Sequence, residues 1–364
     1  MLLFVEQSLL LLRRILIDFS INDHIIFYFL AFLIFFSFYI FINIIQKVKS
    51  KKLILYLILL FFCMFNKNLF YFPVIILLAL MIEKYSIKFY ASTNIILIII
   101  FIGILFICLL LGIVENKEHY YFNKTSSVVY DLGFRSANNF PTYIIFLEMF
   151  AYLRIYDLAY KQKWIFLSIF FIITMIAYSF CGCRGGVIAI VAMGMAELCP
   201  YSLRKFILER LNYIILVFLL LTIWFALYGS QNNEINQLMS TRPRCWLMFI
   251  QDFSLKDYLI GNVHFDGVSK LGYNVDSTYL VMLGRNGILG YCVVWYLVKQ
   301  AIALNLNFLV AIFPVIILVL LTSFVESYFY GVGISTVLLA RLTLCINDKV
   351  DSIKPHEAKQ LSNT

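Results

Sequence analysis

A chain of 364 residues that is 63% hydrophobic and only 13% charged has too little polar surface to cover a water-soluble core, so a soluble domain is excluded. Its apolar residues come in runs close to the roughly 20 residues a helix needs to cross a ~30 Å hydrocarbon layer. The net charge of +9 does not point to nucleic acid, because most Lys and Arg sit in short connectors between apolar runs, the positive-inside pattern.

Residues 1–20 read as an amphipathic helix lying in the membrane interface. The apolar stretch Leu9 to Leu12 is too short to span, and Arg13 and Arg14 follow it. The spacing then predicts about eleven spans, at 25–45, 53–65, 69–82, 95–114, 140–160, 164–180, 186–199, 213–229, 277–298, 308–325 and 329–346. The second and third are short enough to form a re-entrant hairpin, which lowers the count to nine, and residues 1–20, if they span, raise it to twelve and put the N-terminus inside. Long runs containing Pro and Gly, without polar alternation, favour helices over a β-barrel. The expected fold class is all-α. A single polytopic membrane domain covers 1–346, with extracytoplasmic loops at about 115–139 and 230–276, and 347–364 form a cytoplasmic tail.

Orientation follows from the basic residues. The four Lys between Gln46 and Lys52, then Lys84, Lys88, Lys161, Lys163, Arg204, Lys205, Arg210, Lys299 and the Lys of the tail fall in alternating connectors. Those connectors and the C-terminus are expected in the cytoplasm. Eight cysteines are scattered, and the Cys181-x-Cys183 pair has no second pair or His at ligand spacing, so no metal or other cofactor is expected.

The chemistry-bearing clusters all map to the opposite side. They are Gly133-Phe134-Arg135-Ser136-Ala137-Asn138-Asn139, Cys183-Arg184-Gly185-Gly186, Thr241-Arg242-Pro243-Arg244-Cys245-Trp246 with Gly261-Asn262, and Asp276-Ser277 with Gly284-Arg285-Asn286-Gly287 and Gly290. Five arginines on an outer face run against the usual bias, and guanidinium binds phosphate oxygens in pairs without losing its charge. Arg285 lies inside an apolar span, where a charge costs at least ~2.5–3.5 kcal/mol. Its flanking glycines are expected to loosen the helix beside a cavity. Asp276, next to several Arg, is expected to stay ionised and to serve either as base or as helix N-cap. His264 is the rival base. Glu148, midway along a span, faces a cavity or pairs with Arg154.

On these residues the chain resembles the bacterial O-antigen and capsule repeat-unit polymerases (Wzy-type), within the superfamily that includes O-antigen ligases. The likeness covers roughly 130–298. It rests on Arg135 with Asn138 and Asn139, Arg184-Gly185-Gly186, Arg242 ahead of Trp246, and Asp276-Ser277 followed after nine residues by Gly287-Ile288-Leu289-Gly290. Ligases carry His at the start of that last motif, and Asp276 stands there in this chain, which favours the polymerases.

The resemblance implies polymerisation of polyprenyl-diphosphate-linked oligosaccharide units into O-antigen, capsule or exopolysaccharide. This takes place at the outer face of the bacterial cytoplasmic membrane, without metal or nucleotide sugar. It implies Arg135, Asn138, Arg184, Arg242, Arg244 and Arg285 on diphosphate and sugar, Tyr279 and Trp246 against sugar faces, and Asp276 or His264 as base. Implied partners are the lipid-linked oligosaccharides, membrane lipid, a chain-length regulator and a flippase, with no nucleic acid. The alternatives are a polysaccharide flippase or other transporter, and an O-antigen ligase.

Overall fold

The computed structural model describes residues 2–18, 74–75, 78–79, 85–120, 128–132, 134, 139–182, 184–239, 241–262 and 275–325. The expected spans at 25–45, 53–65 and 329–346, most of 69–82, and the tail lie outside them. Within them the chain is helical apart from one short antiparallel ribbon.

Helix α1 (Leu2–Asp18) packs along α2 (Ile87–Leu110). Its polar pair Glu6 and Gln7 points inward with Leu3, Leu10 and Leu11, while Phe4, Val5 and Leu12 point out. Helix α2 starts at Ser86, whose hydroxyl accepts the Phe89 N–H at 3.2 Å. It buries Tyr90, Asn94, Leu97, Ile98 and Leu105 and exposes Ile96, Ile99, Ile100, Ile104 and Ile107. Both faces are apolar, so the exposed one fits a lipid solvent. The protein is membrane-embedded.

The following loop forms the ribbon, β1 (Glu118–Tyr120) with β2 (Val128–Tyr130). It is closed below by Lys117 N–H to Asp131 Oδ1 (2.9 Å) and Leu132 N–H to Asn116 Oδ1 (3.0 Å). Side-chain acceptors that seed a turn leave little periodic signal in a sequence.

Helix α3 (Asn139–Ile155) is buried around nearly its whole circumference and forms the central post. Around it stand α4 (Tyr160–Cys181) and α5 (Arg184–Leu198), a hairpin turned by Gly182 at φ 68°, whose N–H bonds to the Tyr178 carbonyl at 2.8 Å. Glu148 of α3 accepts the Thr174 hydroxyl of α4. Arg154 is exposed and takes no part in that contact.

The chain then turns through 117° into the short helix α6 (Tyr201–Glu209) and re-enters the bundle as α7 (Leu211–Trp224), which widens into a π turn at Phe225–Gly229. Three loop helices follow: α8 (Asn233–Leu238), α9 (Arg242–Gln251) and α10 (Leu255–Ile260). The last described elements are α11 (Thr278–Ala311), with non-helical backbone at Gly287 and Asn305, and α12 (Phe313–Val325).

The break at Gly287 folds the helix back. The Tyr291 hydroxyl donates to the Tyr279 carbonyl at 2.8 Å, although twelve residues of straight helix span roughly 18 Å, beyond the reach of a tyrosine. Among the described residues, four helices are long and apolar enough to cross a membrane: α2, α4, Leu211–Gly229 and Thr278–Ala303. Counting each bent pair as one span gives up to six.

The basic connectors meet at one end of the bundle. Lys88 contacts Asp157. Glu197 takes Lys163 at 2.9 Å, Arg204 at 3.5 Å and the Tyr152 hydroxyl. The Tyr201 hydroxyl donates to Asn307 Oδ1 at 3.0 Å. Glu197 is 4% exposed, and its removal leaves two cations and a phenol facing one another. Glu197→Ala is therefore expected to cost about 3–5 kcal/mol, and Glu197→Gln less, read as thermal melting in detergent.

Candidate functional site

At the opposite end the loop helices build a recess over α7. Helix α9 begins at Arg242 directly after Thr241, a β-branched residue held at φ 64°. This is a strained conformation that the Thr241 N–H to Asn236 carbonyl bond (2.7 Å) helps to hold. Thr241→Gly is expected to relieve about 1 kcal/mol, measurable as a raised melting temperature.

Arg242 Nε lies 3.8 Å from Asp276 Oδ2, joining the two ends of the loop segment that runs from α9 to α11. Cys245, one turn after Arg242, faces the same pair. Burial and the Asp276 charge push its thiol up, and Arg242 pulls it down.

Burial in the recess also pushes the Asp276 carboxyl above its ordinary range, and the Arg242 charge offsets only part of that. Desolvation outweighs the arginine, so the carboxyl titrates above an ordinary aspartate. The N-cap position of α11 belongs instead to Ser277. Its hydroxyl is buried and, among the described residues, meets no hydrogen-bond partner. Trp246 is fully buried beneath the recess, against Phe324, and its Nε1 is in the same state.

Two glycines make the next contact possible. Gly261 (φ 83°) ends α10 against the break in α11, so close that a Cβ there would lie 2.1 Å from the Arg285 carbonyl oxygen. A Cβ on Gly287 (φ 61°) would lie 2.5 Å from the Leu259 carbonyl group. The Asn262 N–H donates to the Gly284 carbonyl at 2.7 Å, the oxygen whose helical partner would be the Ile288 N–H beyond the break. Gly290 leaves room for the buried Asn286, whose Cβ would be 2.4 Å from a Cβ at 290. Arg285 is thus presented at a clamped helix break, half-buried, and not on a regular helix face. The expected loosening by glycine is present, but loop backbone fills the break.

Beside the break, and separate from the Arg242–Asp276 recess, lies an apolar cavity of about 560 Å³. Ile215, Leu216 and Leu219 of α7 and Ile288, Tyr291 and Trp295 of α11 line it. It begins three residues after Arg285.

The remaining expected site residues fall out as follows. Arg184 is the first residue of α5, at the same end of the bundle, since α5 runs from there to the Glu197 cluster. Arg244 turns away, its guanidinium bonding Asn233 Oδ1 (3.0 Å) and the Ser230 carbonyl (3.5 Å). Tyr279 is 4% exposed, stacked on Phe218 and bonded through its hydroxyl to the Leu320 carbonyl at 3.1 Å. It is core, with no ring face left for a sugar. Trp246 is buried in the same way. Arg135, Asn138 and His264 lie outside the described residues. Ser277 and Cys245 stand in the clusters marked in the sequence, but neither was given a role there. The spacing of Cys245 three residues after Arg242 was the available signal. Compared with known proteins, the chain matches no family model, no curated protein and no solved structure.

Proposed function

We propose that the protein polymerises polyprenyl-diphosphate-linked oligosaccharide units into a surface polysaccharide, as a metal-independent glycosyltransferase at the outer face of a bacterial cytoplasmic membrane. The observation that carries this reading is the Arg242–Asp276 pair at the start of a membrane helix broken at Gly287, with Arg285 at the far end of the same leg and an apolar cavity beyond the break. Such a set offers cations for a diphosphate, a base for a hydroxyl, and an apolar trough for a lipid chain.

The acceptor hydroxyl attacks the donor's anomeric carbon, and its proton passes to the Asp276 carboxylate. The bond from that carbon to the diphosphate oxygen breaks, and polyprenyl diphosphate leaves with the electron pair, its charge held by Arg242 and Arg285. Eleven spans, an outer N-terminus, an inner C-terminus, and a chain-length regulator and flippase as partners complete the reading.

A flippase or other transporter is the second reading, favoured by the broken helix and by Glu148, fully buried in the bundle. A ligase is less favoured, for want of His at position 276. Deleting the gene separates them. Loss of polymerase leaves single repeat units on their lipid anchor outside the cell, whereas loss of a flippase removes even these.

The pH profile gives a second check. Asp276 acts as base only when ionised, so activity falls as pH drops through its raised pKa, and the acid limb lies above that of an ordinary aspartate. Arg242→Gln removes the offsetting cation and is expected to move the limb to still higher pH. An unmoved limb would take Asp276 out of the reaction.

A further inference from the structure

The basic end of the bundle carries a surface that the reaction does not use. Helix α6 leaves α5 at 117°, and the corner is fixed. Arg204 donates to the Cys199 carbonyl at 2.7 Å and the Glu197 carbonyl at 2.6 Å, tying α6 to the last turn of α5. With Pro200 at the corner, the helix cannot swing into line with α5.

At helical spacing its nine residues divide into three faces. Arg204, Ile207 and Leu208 point into the protein; Leu208 is 0% exposed and Ile207 packs against the core. Leu203 and Phe206 form an apolar face that is 43% and 51% exposed. Tyr201, Ser202, Lys205 and Glu209 form a polar face. The Arg210 guanidinium lies 3.8 Å from the Phe206 ring centroid, on the edge of the apolar face.

The neighbouring spans also expose large apolar side chains close to the two ends of α6, Met195 and Leu198 of α5 and Tyr213 and Val217 of α7. A helix in the plane of a bilayer presents such a division: one side against protein, one dipping into acyl chains, one in water. Lys205, on the polar face and 4.0 Å from Glu209, and Arg210, over the Phe206 ring, are the cations offered to a phosphate.

We propose that α6 is an in-plane interfacial helix that binds anionic phospholipid headgroups through Lys205 and Arg210, with Leu203 and Phe206 sunk among the acyl chains. This holds whatever reaction the opposite end performs.

The test places benzoylphenylalanine at position 206 of the full chain, in nanodiscs of equal phosphatidylcholine and phosphatidylglycerol. Irradiation is expected to give lipid adducts in which phosphatidylglycerol exceeds phosphatidylcholine several-fold. Lys205→Gln with Arg210→Gln is expected to keep the adducts and bring the two lipids to parity. Absence of lipid adducts, or no headgroup preference in the otherwise native chain, overturns the proposal. Native mass spectrometry of the unsubstituted protein, released from the same nanodiscs, gives a reading independent of any variant: retained phosphatidylglycerol is expected, and equal retention of both lipids counts against it.

Discussion

Arg285→Ala is expected to stop chain growth, so that a strain carrying only this variant displays single repeat units where the wild type displays long polysaccharide. The side chain sits half-buried at the Gly287 break, and its proposed task is to stabilise charge on the departing diphosphate. Removing one preorganised donor to such an oxyanion typically costs roughly 10²–10³ in rate. Arg285→Lys should restore only part of that, because an ammonium cannot make the paired contacts of a guanidinium. The backbone here is clamped through Gly261 and Asn262, and those contacts do not involve the Arg285 side chain. Immunoblotting of the membrane fraction checks the level of the variant, and chain length is compared at equal level. Arg244→Ala is the contrast: with its guanidinium committed to Asn233 and Ser230, chain length should change little. Full-length polysaccharide from Arg285→Ala would remove this arginine from the mechanism.

The second large effect concerns folding. Gly261→Ala places a methyl group 2.1 Å from the Arg285 carbonyl oxygen, at a φ of 83° that alanine resists. Neither partner is a flexible side chain, so the clash is relieved only by pulling α10 off the break in α11. That would also break the Asn262–Gly284 hydrogen bond and open the recess. A loss above about 4 kcal/mol is expected, within the range reserved for strained backbone positions and buried clashes. The readout is a collapsed monodisperse peak in detergent size-exclusion chromatography. Gly103→Ala provides the contrast, since a Cβ there meets nothing within 4 Å. It lies in mid-helix in α2, where alanine is favoured over glycine by about 1 kcal/mol, so no loss is expected.

These two sites show what a sequence discloses and what it withholds. The spans at 95–114, 164–180 and 213–229 were legible because lipid demands long uninterrupted apolar runs, and α2, α4 and α7 lie where those runs lie. The grouping of the basic connectors at one end of the bundle was legible too. Lys88, Lys163 and Arg204 were grouped by counting connectors, and Asp157 and Glu197 gather them at one end.

The pairing of Arg242 with Asp276 was legible only as two residues on one side of a membrane. Their contact depends on how 34 residues of loop return, which no periodicity encodes. Gly287 could be marked as a helix breaker, but its partner Gly261 lies 26 positions earlier. Only the folded chain shows that each glycine exists to admit the other's backbone. Tyr279 failed as a sugar platform for a related reason: its ring and hydroxyl are both used up by Phe218 and Leu320, partners far away in sequence.

The fold-back at Gly287 also bears on the bilayer itself. In the proposed topology the second leg of α11, residues 288–304, crosses beside α7, and at 1.5 Å per residue it measures roughly 25 Å. That is a few ångströms short of a ~30 Å hydrocarbon layer, and lipid meets such a mismatch by thinning around the short helix. On the proposed reading that thinning brings the headgroup plane toward Arg285, and a lipid-linked diphosphate is expected to reach the arginine without lifting its chain out of the membrane.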